Sequence, residues 1–307
     1  MLPLCARIVT AFIPNQTLRH QIRDILLGRN NWEIRKPLNL QEEEGFGWLT
    51  EVMPRLPLHE LVKNYSAIGE LLAILRPYDC IGVEKIRTGN KNDGGYVMLN
   101  PNDAEKIAYS FGVSPESPWD LEMAEKGLKV YQYDGTIDTP PDLHSNLFFH
   151  KNNISAPSNS TEHTKNIGQI FNDLNHQNEQ NIILQIDIEG AEWSVFEELQ
   201  EDEILKFSQI IIEWHDLTPL DPEFQRRLEI LRKVSKTHTP IHVHMNNYGL
   251  ERNTRAGMLF YADAFEVSYV RTKDFNFKPN LEFYPTPLDN PCNPKWPDIP
   301  IGKWSEK

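Results

Sequence analysis

The stretch IILQIDIEGAEWSVFEEL, residues 182–199, constrains the fold of this chain more than any other. It begins as an apolar run and then places Asp187, Glu189 and Glu192 within six positions, around Gly190. A near-continuous apolar run suits a strand buried on both faces of a parallel sheet. In an open α/β sheet, ligands bind beyond the carboxyl ends of the strands. The segment therefore reads as a central strand that delivers acids to a crevice, with Gly190 permitting a tight turn into the next helix. Glu192 falls in the first helical turn, where a carboxylate favours the positive end of the dipole; it reads as a cap and not a catalyst.

The rest of the chain repeats the alternation. EKIAYSFGVS (105–114), LKVYQYDGT (128–136), NLFFHKNNIS (146–155), SQIIIEWHDL (208–217), PIHVHMNNYG (240–249) and AFEVSYVRT (264–272) have strand character. WDLEMAEKG (119–127), IGQIFNDLNHQ (167–177), AEWSVFEELQEDEILK (191–206) and PEFQRRLEILRKVSKT (222–237) have helical spacing. Strands separated by helices of this length predict a mostly parallel sheet with helices on both faces. IGVEKIRTGNKNDGGYVML (81–99) predicts a hairpin around its Gly-Asn-Asp turn cluster. We expect a helical accessory segment over 1–78, the sheet domain over 79–283, and an extended proline-rich tail over 284–307.

Composition removes several classes. Against 31 Lys+Arg stand 44 Asp+Glu, a net charge of −13, which makes nucleic acid a poor partner. Cys5, Cys80 and Cys292 are odd in number and far apart. They suggest neither a disulfide framework nor a zinc knuckle, and point to reduced thiols in a cytoplasm. No apolar run approaches the ~20 residues that span a bilayer. Residues 1–30 mix Leu, Ile and Phe with Arg7, Arg19, Arg23 and Arg29. A helix packed on its own domain is the first reading; peripheral contact with an anionic membrane, at the inner face, is the second.

The expected strand ends all carry polar groups: Asp134 on the second, Asp187 and Glu189 on the fourth, Glu213 with His215 and Asp216 on the fifth, and His242, His244 and Asn246 on the sixth. Such convergence is how α/β sheets build active sites. An acid in the place of Asp134 is the usual partner of ribose hydroxyls. The turn Ser110-Phe111-Gly112-Val113-Ser114 has one glycine where a dinucleotide fingerprint has three. That departure argues against a pyrophosphate and suits a phosphate-free cofactor such as S-adenosylmethionine.

LQIDIEGAEWSVFEEL closely resembles the motif after the fourth strand in FkbM-type S-adenosylmethionine-dependent methyltransferases. NDGGYVM (92–98), YSFGVS, YDGT (133–136), IIIEWH (210–215) and LDNPCNP (288–294) are similar to members of the same group. The resemblance covers roughly residues 81–294. Outside it, IPNQTLRHQIR looks like the start of some enzymes of bacterial surface-polysaccharide biosynthesis. The resemblance implies a Rossmann-like methyltransferase acting on a hydroxyl of a sugar, a glycan precursor or another small molecule. It implies that Ser110, Phe111 and Gly112 line the methionine part of the cofactor, that Asp134 holds the ribose, and that Asn152 and Asn153 approach the adenine. Asp187, with Glu189, is expected beside the methyl group, and Asp93, Gly94 and Gly95 form an entry motif.

Transfer to a hydroxyl needs alignment and removal of a proton. Two routes fit. His215 or His244 takes the proton, oriented by Glu213 or Asp187; this is the preferred one. Alternatively Asp187 and Glu213, with His215 or Asn246, hold Mg²⁺ or Mn²⁺ to acidify the hydroxyl. Trp193, Trp214 and Tyr248 are candidate platforms for a sugar ring, with core packing the equal alternative for Trp193. Two other readings compete: a metal-dependent glycosyltransferase using Asp134 and Asp138 or Asp187 and Glu189, and a non-catalytic scaffold.

Overall fold

The computed structural model describes residues 58–113, 115–249 and 261–305. The expected N-terminal membrane arm and Ser114 lie outside these residues.

Helix α1 (Leu58–Ile74) leads into strand β1 (Tyr78–Cys80) and the hairpin of β2 (Lys85–Gly89) and β3 (Gly95–Leu99). The main alternation follows: β4 (Ile107–Phe111), α2 (Pro118–Glu125), β5 (Lys129–Tyr133), β6 (Leu147–His150), the short β7 (Asn153–Ile154) and β8 (Thr164–Lys165), α3 (Ile167–Asp173) and β9 (Ile182–Ile186). It continues with α4 (Glu192–Glu198), α5 (Glu201–Ile204), β10 (Phe207–Trp214), α6 (Phe224–Val234), β11 (His238–Asn246) and β12 (Ala264–Arg271), and ends in β13 (Phe277–Pro279) and the tail. One central sheet has the order β11-β12-β10-β9-β4-β5-β6. Its strands from β6 to β10 are parallel, and β12 runs antiparallel to both β10 and β11. Broadly, this is a Rossmann-like α/β sheet. The chain winds outward from β4 through β5 and β6, then returns to β4's other side with β9 and β10. The strand order therefore reverses between β4 and β9, the place where such sheets open a crevice.

The two faces of the sheet differ. On one, Tyr109, Phe111, Leu184, Ile186, Ile212 and Trp214 join side chains of α1, α3, α4 and α6 in a single apolar core. On the other, a smaller cluster joins Ala108, Val130, Ile183 and Ile211 to Trp119 and Met123 of α2 and to Tyr96 and Met98 of the hairpin. Helices thus cover both faces, but the second face is shared with the β2–β3 hairpin. The sequence predicts one helix over 191–206; the structure has two. Leu199 leaves helical geometry at φ −54°, ψ 133°, and Gln200 starts α5 with a reciprocal capping box to Glu203. Lys233 donates to the carbonyls of Phe196, Glu197 and Leu199, satisfying the end of α4 from α6.

Candidate active site

Two rungs of the central sheet collect its polar groups. Ser110 lies opposite Gln132 on β5 and opposite Gln185 on β9. The three form a buried row, one residue short of each strand end, on the face that the hairpin covers. Ser110 donates to Gln185 Oε1 at 3.0 Å, and Gln132 donates to Asp120 Oδ2 of α2 at 2.6 Å. Burial pushes the Asp120 carboxyl up to about 6, against the hydrogen bonds from Gln132 and Ser110. Sequence reasoning singled out Ser110 but missed Asp120, Gln132 and Gln185. The available signal was a polar residue at the penultimate position of IAYSF, KVYQY and IILQI.

The second rung lies two residues further along. Phe111 pairs with Tyr133 and Ile186, and Ile186 with Ile212. The residues after them, Asp134, Gly112, Asp187 and Glu213, therefore fall on one line, which Glu213↔Glu266 and Glu266↔His244 extend to the far strand. Gly112 leaves the gap in that line. It sits at φ +85°, and a Cβ there would lie 1.6 Å from the carbonyl oxygen of Asp187. Only glycine fits. Gly190, at φ +99°, together with Glu189 at φ 56°, makes the sharp turn that takes the chain from the strand into α4.

Above these rungs opens a cleft of about 340 Å³, within the range of small-molecule sites. The turn after β4, the start of α2, the hairpin tip with Asp93 and Gly94, and Asp187 line it. Four carboxylates, Asp93, Glu116, Asp120 and Asp187, are in its wall, and among the described residues no lysine or arginine is. Asp187 Oδ1 is buried without a hydrogen-bond partner. Burial raises the Asp187 carboxyl to about 7; the charge of His215 opposes this, and Glu189, Glu192 and Asp93 add to it. Burial also drives Glu213 well above the usual carboxylate range, reinforced by Asp187 and Glu266. Asn246 holds Glu213 by donating to Oε1 at 2.8 Å.

His215 stands behind Asp187 among four acids. Its Nδ1 is 3.0 Å from Glu192 Oε1, and its Nε2 is 3.6 Å from Asp187, 3.7 Å from Glu189 and 3.7 Å from Glu213. Burial works against its charge, but the Glu192 hydrogen bond and the surrounding carboxylates prevail and push it to about 10. His244 is likewise clamped, with Nδ1 2.7 Å from Glu266 and Nε2 2.9 Å from Asp298. Burial opposes its charge too, and those two hydrogen bonds raise it to about 10. Both imidazoles are cations at neutral pH, contrary to the expectation of a neutral base. The metal set expected from sequence is distributed differently: Asp187, Glu189 and His215 present ligand atoms within 4.8 Å of one another, as do Asp93, Glu213 and Glu266.

The remaining candidates are placed as follows. Asp134 is buried at the end of β5, its Oδ1 accepting from the amide and hydroxyl of Thr136. Asn152 and Asn153 follow β6, and Asn153 Oδ1 accepts from the amide of Gly135, bracing the turn after Asp134. Phe111 departs from expectation: its ring lies in the apolar core against Tyr109 and Tyr133, and it does not line the cleft. Gly95 is buried in the hairpin opposite Gly89. Trp193 and Trp214 stack on each other in the core at 4.3 Å, which removes them as sugar platforms, whereas Tyr248 is exposed. Asp138 is exposed and pairs with Lys151.

A Rossmann-like sheet with an acidic strand-end cleft is thus what the fold and site define. Over 118 residues, 35% of the chain, it is 30% identical to probable methyltransferase-like protein 24 of Homo sapiens. The match to the protein of the same name in Rattus norvegicus has the same identity and extent. These matches span 32% of the relatives' own length. No family model and no solved structure matches the chain. Among the described residues, no helix is long and apolar enough to cross a membrane.

Proposed function

We propose that this chain is an S-adenosylmethionine-dependent methyltransferase of the FkbM type, acting on a hydroxyl of a sugar or glycan precursor. The similarity to methyltransferase-like proteins supports the reaction class. The observation that carries the cofactor is the cleft wall, with four carboxylates and no lysine or arginine among the described residues. A nucleoside diphosphate needs cations or a cradle of backbone amides; a sulfonium with an α-amino group needs acids. The same contrast weighs against the nucleotide-sugar reading.

The bound cofactor supplies an electrophilic methyl group. Gly112, in the cleft wall, lets the end of β4 approach the backbone of Asp187 closely, which brings that acid to the cleft. Asp134, at the end of the neighbouring strand, would be the partner of the ribose hydroxyls. Asp187 faces the cleft with a pKa near neutrality, the matching a general base requires. With the cofactor bound, Asp187 would be the group to accept the proton of the acceptor hydroxyl. The His215 imidazolium is a positioning group that offsets the surrounding acids and holds Asp187 in place.

The test is calorimetry with S-adenosylhomocysteine and with uridine diphosphate, followed by a labelled-methyl assay on glycan precursors. We expect micromolar homocysteine-nucleoside binding and none of the diphosphate. Activity should rise with pH through about 7, with Asp187→Asn costing on the order of 10²–10⁴-fold in kcat. Tight diphosphate binding, or full activity in Asp187→Asn, would overturn the reading.

A further inference from the structure

Three side chains from three separate segments meet at the far end of the acidic rung: His244 on β11, Glu266 on β12 and Cys292 in the tail. All are buried, at 1%, 6% and 2% exposure. Their donor atoms face one another. Nδ1 of His244 is 2.7 Å from Glu266 Oε2, Cys292 Sγ is 3.4 Å from Glu266 Oε1, and Sγ is 3.9 Å from Nδ1.

Ligand atoms around a tetrahedral zinc ion, at ~2.3 Å for sulfur and ~2.0–2.1 Å for nitrogen or oxygen, stand about 3.3–3.8 Å apart. The two sulfur distances already approach that range, and only the Glu266–His244 contact has to open. The other ring nitrogen, Nε2, is held by Asp298 at 2.9 Å, and Asp298 Oδ1 also accepts the amide of Ile299 at 2.8 Å. A carboxylate on the remote nitrogen of a ligating histidine is the arrangement that orients metal-bound imidazoles.

We propose that His244, Glu266 and Cys292 form a structural site for a zinc-class divalent cation that fastens the tail to the sheet. One thiolate, one imidazole and one carboxylate suit zinc better than magnesium or calcium. Binding displaces the thiol proton and the Nδ1 proton, so a dication leaves the cluster's charge unchanged. Three protein ligands leave the fourth tetrahedral position to a water, and burial of all three residues keeps that position away from bulk solvent. It is separate from the Asp187–His215 group and stands whether or not the chain transfers methyl groups. Adjacent hydrogen bonds, between Asn247 and Asn293 and between His242 and Asp289, already hold the tail on either side, so the three ligands meet on a fixed frame.

The experiment uses the full chain, stripped with a chelator and titrated with Co²⁺. We expect one equivalent, with tetrahedral visible bands and a near-ultraviolet thiolate-to-cobalt charge-transfer band, displaced by Zn²⁺. Cys292→Ser, which keeps a hydrogen bond to Glu266, should lose the charge-transfer band; Asp298→Asn should keep it and weaken binding ~10–100-fold. A folded wild-type chain that takes up no Co²⁺, or binds it without a thiolate band, ends the proposal irrespective of how the variants fold. So does a Cys292→Ser spectrum identical to wild type.

Discussion

Glu192 joins two segments at once. Its Oε2 accepts the Gly190 amide at 2.8 Å and closes the turn, while Oε1 accepts the backbone amide of His215 at 2.9 Å and meets Nδ1 at 3.0 Å. Its place in the first helical turn was legible from the sequence, because that turn favours a carboxylate, but it does not cap the helix: the N-cap is Ala191, without a side-chain bond. Its partnership with a histidine on another strand was not legible, since nothing local brings 192 and 215 together. The same blindness led sequence reasoning to take His215 for a neutral base: the four acids that charge it come from three segments. Glu192→Gln should therefore lower the His215 pKa from about 10 towards its ordinary value, read from the ring-proton shift against pH. A raised histidine pKa contributes stability that is complete below the unfolded value near 6.5 and is lost as pH rises through the folded value. Wild-type urea midpoints should accordingly decline between pH 6.5 and 10. In the variant the decline should end at lower pH, with about 1.5–3 kcal/mol lost at neutrality. A wild-type ring that titrates near 6.5 contradicts the arrangement.

At the level of elements, strands and helices were legible wherever periodicity was unbroken: β4, β5, β9, β12 and the β2–β3 hairpin lie within their predicted segments, while β10 and β11 begin one and two residues before theirs. What was not legible was direction and continuity. The antiparallel placing of β12 depends on which edges meet in space, and the break at Leu199 depends on a capping box that competes with helical propagation. The tail was expected only to be extended. Its anchoring comes from single side chains, above all buried Asn247, whose Nδ2 donates to the carbonyls of Asn293, Trp296 and Pro297 at 3.0, 3.3 and 3.3 Å. Its Oδ1 accepts the amide of Asn293 at 2.7 Å. Asn247→Ala removes every one of these bonds at once, leaving Asn293 N–H to find another partner. We expect a loss of about 1–3 kcal/mol in urea unfolding and faster proteolysis confined to residues 284–304. Cleavage at wild-type rate would show that the tail is held elsewhere.

Across the whole molecule, the decisive feature is that one face of the sheet is apolar and the other carries a rung from Asp134 to His244. Each residue of that rung looks ordinary in its own strand. The rung appears only when register aligns the strands, so its existence could be expected from strand-end acids while its straightness could not. The net charge of −13 is spread over the chain; at the cleft, burial, with Glu189, Glu192 and Asp93 adding to it, raises the Asp187 carboxyl to about 7. A ligand that brings a positive charge to Asp187 should relieve that strain, and a neutral one of the same shape should not. S-adenosylhomocysteine carries a neutral sulfur, and sinefungin carries a cationic amine near the same place. A unit-charge pair 4 Å apart at an effective dielectric of 20 sets an upper limit of ~4 kcal/mol. Desolvation of both groups leaves about a third of it, so sinefungin should bind on the order of tenfold more tightly at pH 8. Below pH 6, with Asp187 neutral, the preference should shrink, and in Asp187→Asn it should be small at every pH. Calorimetric titrations of both compounds at pH 5.5, 7 and 8.5 decide it. Equal affinities throughout would mean that the acids of the cleft face away from the transferable group, and that the charge of the rung serves the fold and not the ligand.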